Sequence, residues 1–120
     1  IKMSEKTYIV EFVGDGGKIA VVKLGENVLG GNDALDFAEA TEELRNKGAE
    51  LIIADLRKVH VMNSSGLGML VSSLSNLKNN NVAFVLSSVP KKVMSLLEMT
   101  HLDKVFSIYN SVEDAAEHQS

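Results

Sequence analysis

Residues 59–77 read VHVMNSSGLGMLVSSLSNL and have the pattern of an amphipathic helix with a polar start. Just before the helical part, Asn63, Ser64 and Ser65 are residue types whose side chains accept hydrogen bonds from the free amides of a first turn. The apolar side chains that follow have the spacing of one helix face, at Leu67, Leu70, Val71, Leu74 and Leu77. We therefore predict that a helix begins at the polar triplet.

A helix that begins there places a serine hydroxyl at the positive end of the helix dipole. The free N–H groups and partial positive charge of a helix N-terminus favour a phosphate. A phosphoserine would bring about −1.5 to −2 charges and three acceptor oxygens to this position. A phosphoserine here would therefore change the affinity of a protein partner and leave the fold intact.

The composition is that of an ordinary globular chain. Its 120 residues suffice for one core, and we predict a single domain over residues 4–118. Hydrophobic residues make up 45% and charged residues 23% of the chain, which is typical of soluble domains. The net charge of −4 argues against non-specific binding to nucleic acid or to anionic lipid, because both require excess Lys and Arg.

The sequence also bounds the chemistry and the location of the protein. There are no cysteines, which excludes disulfides, thiolate metal sites and cysteine nucleophiles. The apolar runs are far shorter than the ~20 residues that span a bilayer, and residues 1–4 lack a signal-peptide core. We expect no membrane insertion and a cytoplasmic location.

The first half of the chain predicts a hairpin followed by a helix. Residues 7–13 and 18–24 are rich in β-branched side chains and flank Gly-Asp-Gly-Gly, which is a hairpin signal. Residues 25–31 (GENVLGG) are predicted to form a loop. A helix is then expected from a cap at Asn32 or Asp33 to about residue 47, with a solvated acidic face. The side chains expected toward the core are Leu35, Ala38 and Leu44.

The second half alternates strands with helices. Buried strands are predicted at residues 51–56 and 82–86, and a short strand at residues 105–109. A helix should begin near Pro90 and end near residue 100, and another should run from Ser111 or Val112 to about residue 117. The predicted fold is an α/β domain of order β-β-α-β-α-β-α-β-α. Its sheet is mixed and mostly parallel, with right-handed crossover helices and an antiparallel first strand.

Three segments of this chain resemble the STAS domain, and in particular the bacterial anti-sigma factor antagonists. They are the strand end Asp55-Leu56, the turn at residues 62–68 (MNSSGLG) and the segment at residues 100–106 (THLDKVF). The likeness extends over roughly residues 8–116. The turn is specific because it lies between a buried strand and an amphipathic helix.

The resemblance implies a regulatory switch and no enzymatic activity. In that family a GHKL-type serine kinase, which is also the anti-sigma factor, phosphorylates the first serine of the turn. The unphosphorylated domain sequesters this kinase and releases the sigma factor, and a serine phosphatase resets the switch. By position, the phosphorylated residue is Ser64. ATP belongs to the kinase, so no cofactor is expected here. The implied partner-binding residues are Met62, Asn63, Ser64, Ser65, Gly66 and Asn27.

Several alternatives remain open at the level of sequence. Asn63 stands where the family usually has an aspartate, so this chain could instead be a non-phosphorylated STAS adaptor of a membrane-transport or stressosome-type complex. The loop also departs from the family at Glu26-Asn27-Val28. Ser65 is expected mainly to cap the helix. Asp55 is either a functional carboxylate or an acceptor for loop amides. The sequence lacks the motifs of two other classes of site. A nucleotide site would need the third glycine of the dinucleotide fingerprint or the lysine of a P-loop, and a serine hydrolase would need the G-x-S-x-G elbow.

Overall fold

The computed structural model describes residues 8–13 and 18–119, in which seven strands and four helices follow one another. Their bounds are β1 Tyr8–Val13, β2 Ile19–Leu24, β3 Asn27–Val28, α1 Asn32–Asn46, β4 Leu51–Asp55, β5 Val61–Met62, α2 Ser64–Asn79, β6 Ala83–Ser87, α3 Lys91–Met99, β7 Ile108–Tyr109 and α4 Val112–Gln119. None of the helices in these two ranges is both long enough and apolar enough to cross a bilayer.

The main sheet has five strands in the order β1-β2-β4-β6-β7. β1 pairs antiparallel with β2, and every other neighbouring pair is parallel. The predicted α/β class, the mostly parallel sheet and the antiparallel first strand are therefore confirmed. The Gly-Asp-Gly-Gly turn predicted at residues 14–17 lies outside the described residues, as does position 7.

Helices cover both faces of this sheet, which explains why its central strands β4 and β6 are apolar except at their last residues, Asp55 and Ser87. All five residues of β4 are buried. Alternate strand residues such as Ile52 and Phe84 pack in the larger core with side chains of α1, α2 and α3. Ile53 and Val85 face the other way and pack in a smaller cluster that includes Ala115 of α4. Burial on two faces is expected for parallel strands.

Helix α1 differs from its prediction in its cap and in its buried face. Its N-cap is Gly31, with φ 63°, and no side chain caps it, so neither Asn32 nor Asp33 has that role. The predicted core residues Leu35 and Ala38 are exposed, the former by 66%. The side chains buried instead are Phe37, Thr41 and Leu44.

Two contacts, which the spacing of apolar residues in the sequence does not reveal, determine which face of α1 is buried. The ring of Phe37 packs edge-on against Phe84 of β6 at a centroid distance of 6.2 Å, which fixes the rotation of the helix. Thr41 tolerates burial because its hydroxyl donates to the carbonyl of Ala38 at 3.0 Å.

The last strand is shorter than predicted. β7 contains only Ile108 and Tyr109, whereas residues 105 and 106 lie in a turn in which both amides donate to the carbonyl of Leu102. The buried Phe106 ring packs against Phe84 at 6.5 Å. Its apolar character therefore reflects a loop side chain that fills the core, and not a strand.

Candidate functional site

The N-terminus of α2 is built around the side chain of Asn63. This residue has an extended backbone, and its Oδ1 accepts a hydrogen bond from the Gly66 N–H at 2.8 Å. Its carbonyl accepts from the Leu67 N–H at 2.9 Å and so starts the helix. The predicted helix start is confirmed, but the capping role expected of Ser65 belongs to Asn63. Of the three candidate caps, only Asn63 precedes the helix.

Ser64 and Ser65 form the first turn and are both exposed to solvent. The Ser64 hydroxyl makes no hydrogen bond to any other described residue, and the first turn contains no acidic side chain. The first amides of a helix lack intrahelical partners and create a positive potential. The Ser64 oxygen is therefore accessible at a position that would stabilise a negatively charged substituent.

A small second sheet, which sequence patterns did not predict, anchors the neighbouring loop. Within residues 25–31, strand β3 pairs in parallel with β5, so that Asn27 lies opposite Val61 and Val28 opposite Met62. The carbonyl of Glu26 accepts from the amides of residues 60 and 61 at 2.7 and 2.9 Å. Strands of two residues are too short to show a periodicity, so only the GENVLGG loop was visible in the sequence.

Two glycines allow this loop to pack directly on the first turn of α2. A Cβ on Gly66 would lie 2.0 Å from the carbonyl oxygen of Val28, closer than any real contact. A Cβ on Gly30, whose φ is +81°, would lie 2.6 Å from the Cβ of Ser65. Because its Cα is buried against β3, Gly66 supports the surface and does not present a side chain to a partner.

The other predicted site residues lie at the same end of the molecule. Asn27, Asn63 and Ser65 are exposed, whereas Met62 is half-buried and lines a cleft against α3. Asp55, which is 7% exposed, accepts a hydrogen bond from the Arg57 amide at 3.0 Å through Oδ1. Of the two roles considered for Asp55, the structure confirms that of acceptor for a loop amide.

Basic side chains lie at this end of the sheet as well, although the sequence showed no basic run. Arg57 and Lys58 follow β4, and Lys91 and Lys92 begin α3 after β6. β4 and β6 are parallel neighbours, so their carboxyl ends share one edge of the sheet. All these cations are exposed, and none forms an ion pair within the described ranges.

Comparison with known proteins connects this geometry to one family. The sequence profile of the STAS domain matches residues 14–115. A Thermotoga maritima protein that is classed as an anti-sigma factor antagonist is 33% identical over 76 residues, which cover 63% of this chain and 67% of that protein.

Solved structures agree with the fold. The crystal structure of a T. maritima protein of the same class superposes with a TM-score of 0.74 at 28% identity and covers 92% of each chain. Bacillus SpoIIAA superposes in its unphosphorylated and phosphorylated forms with TM-scores of 0.77 and 0.72. The identities are 15% and 14%, with 92% and 94% of this chain and 94% and 99% of SpoIIAA covered.

Proposed function

This chain belongs to the STAS domain family, and on that basis we propose that it is an anti-sigma factor antagonist switched by phosphorylation of Ser64. In this proposal the unphosphorylated domain binds an anti-sigma factor serine kinase of the GHKL type, which frees a sigma factor. Phosphorylation releases the kinase, and a serine phosphatase restores the binding form.

The observation that carries the proposal is the position of Ser64. Its hydroxyl is exposed and without a hydrogen bond to the described residues, at the start of a 16-residue helix. The cap at Asn63 and the packing of Gly66 against Val28 hold that helix start in a fixed geometry. A kinase would therefore meet an ordered acceptor, and the new phosphate would lie near free helix amides.

The relatives support the same reading. The Thermotoga proteins are classed as anti-sigma factor antagonists, and SpoIIAA, whose fold this chain shares, exists in phosphorylated and unphosphorylated forms. We carry this behaviour over to Ser64 as part of the proposal. Asn63 and Met62 directly precede Ser64, and Asn27 lies on β3, which pairs with β5; we expect these three residues to contact the kinase.

The phosphorylation reaction would require only the Ser64 hydroxyl from this chain. The kinase would transfer the γ-phosphoryl group of its ATP to the Ser64 oxygen, which loses its proton, and ADP would leave with the kinase. A phosphate of about −1.5 to −2 charges would then lie in the interface. Burying it unpaired costs several kcal/mol, so the complex would dissociate without refolding of the domain.

Labelling with radioactive ATP tests the acceptor directly. Purified anti-sigma factor kinases of the source organism are incubated in turn with the wild-type domain, Ser64→Ala and Ser65→Ala. We expect one kinase to label the wild type and Ser65→Ala but not Ser64→Ala. The adjacent serine is the matched control, because it is also exposed and lies in the same helical turn.

Two outcomes would overturn the proposal. Labelling that survives Ser64→Ala would place the acceptor elsewhere. Absence of labelling, combined with binding that Ser64→Asp leaves unchanged, would favour the non-phosphorylated STAS adaptor, for which the departure at Asn63 is the supporting observation.

A further inference from the structure

We propose that the outer face of α3, together with Met62, is a second part of the partner-binding surface, and that it receives an amphipathic, acidic segment of the partner protein. This inference rests on the proposed function, because it assumes that the Ser64 end of the molecule meets a protein. It extends that surface to the outer face of α3 and adds a chemical description of the segment that binds there.

Helix α3 has two faces, and only one of them belongs to the core. Val93 and Leu97 are buried. Beside that face, Lys92, Leu96 and Met99 follow one another at i, i+4 and i+7 and so lie on one stripe of the helix. Lys92 and Met99 are exposed, whereas Leu96 is half-buried against the edge of the core. Met99 is 78% exposed, which makes it the most exposed large hydrophobic side chain in the described residues.

This stripe forms one wall of an open cleft, and Met62 contributes from the other side. Met62 is the last residue of β5 and lies two positions before Ser64, so its Cα is within about 7 Å of the Ser64 Cα. One wall of the cleft therefore lies within two residues of Ser64 along the chain. Methionine side chains are flexible and polarizable, which suits an adaptable protein contact.

The charges around the cleft define the kind of partner. Lys91 and Lys92 are exposed in the first turn of α3, where the helix dipole is already positive and no acidic side chain is present. Neither lysine forms an ion pair with another described residue. A segment with apolar side chains flanked by Asp or Glu complements such a surface. A phosphate on Ser64 would repel the acidic side chains of such a segment.

Binding measurements with the anti-sigma factor kinase identified by labelling test this inference. The variants are Met99→Gln, which keeps the length of the side chain, and Lys92→Glu. The control is Lys78→Glu, which makes the same charge change in the last turn of α2, at the other end of that helix from Ser64. Thermal melting of each variant verifies that it is folded.

We expect Met99→Gln to weaken binding by about fivefold, and Lys92→Glu by about tenfold at low salt and less at high salt. Lys78→Glu should bind like the wild type. If the kinase binds the wild type and both α3 variants equally, this inference is wrong and the Ser64 proposal stands. If the kinase does not bind the wild type at all, the proposed function itself fails. Equal weakening by Lys78→Glu would show a non-specific charge effect and would also overturn the inference.

Discussion

The side chain of Asn63 stabilises the start of α2 and leaves the Ser64 hydroxyl free of any capping role. Its Oδ1 caps the helix through the Gly66 amide, which leaves the two following serine hydroxyls unused by the cap. An aspartate would accept the same hydrogen bond and add a negative charge beside Ser64. Compared with an aspartate at this position, the asparagine makes the same capping hydrogen bond and lacks only the negative charge.

For single residues, the sequence predicted where α2 begins but not which of Asn63, Ser64 and Ser65 caps it. Asn63, Ser64 and Ser65 are all good caps, so composition alone could not select one. The selection depends on which backbone remains extended, and the contacts of β3 and β5 determine this. Asp55 was equally ambiguous, because its acceptor role depends on the turn that brings the Arg57 amide to it.

Replacement of Asn63 measures the cap. Asn63→Ala should lower the free energy of unfolding by about 1 kcal/mol, within the usual 0.5–2 range, because the Gly66 amide loses its acceptor. Asn63→Asp should match the wild type or exceed it by about 0.3–1 kcal/mol through the helix dipole. Urea denaturation, monitored by circular dichroism, gives the free energy of unfolding of both variants.

Ser64→Ala is the control for these replacements. Its side chain makes no capping bond, so its stability should stay within about 0.5 kcal/mol of the wild type. A loss of stability in Ser64→Ala as large as that in Asn63→Ala would show that the cap has been assigned to the wrong residue.

At the scale of elements, the feature that shapes the site is the contact between β3 and the first turn of α2. The two-residue strands β3 and β5 carry no periodic signal, so the sequence could present residues 25–31 only as a glycine-rich loop. The sequence presents Gly66 only as part of a motif. Glycine is required there because the carbonyl of Val28 occupies the position of a Cβ.

Two glycines of α2 provide a matched test of this contact. Gly66→Ala should lower the free energy of unfolding by about 1–3 kcal/mol, because the new methyl group overlaps the Val28 carbonyl. Gly68→Ala should raise it by about 0.5–1 kcal/mol, since nothing lies within 4 Å of the added Cβ and alanine is the better helix former. Equal effects of the two substitutions in thermal or urea unfolding would contradict the packing described here.

For the whole molecule, the alternation of apolar runs with amphipathic helices was sufficient to predict the sheet and its crossovers. The central strands β4 and β6 are apolar except at their last residues because helices cover both faces. The rotation of α1 could not be predicted in this way. It depends on the contact of Phe37 with Phe84, which lie 47 positions apart in the sequence.

The same architecture separates the proposed phosphorylation site from the core. Ser64 is exposed at the carboxyl edge of the parallel strands, whereas α2 is held by the buried Leu67, Leu70 and Leu77. A phosphate added to Ser64 would therefore lie in solvent and would not disturb the packing of the core. We propose that regulation acts through a change of surface charge on a constant fold.

The affinity of the kinase for the domain in its two forms tests this account most directly. Unphosphorylated and Ser64-phosphorylated protein would be titrated against the kinase by isothermal titration calorimetry, with circular dichroism spectra of both forms. We predict that phosphorylation weakens binding by at least about tenfold, as expected for a charge buried in an interface, while the spectra stay the same. Equal affinity of the two forms, or loss of binding accompanied by unfolding, would contradict the account.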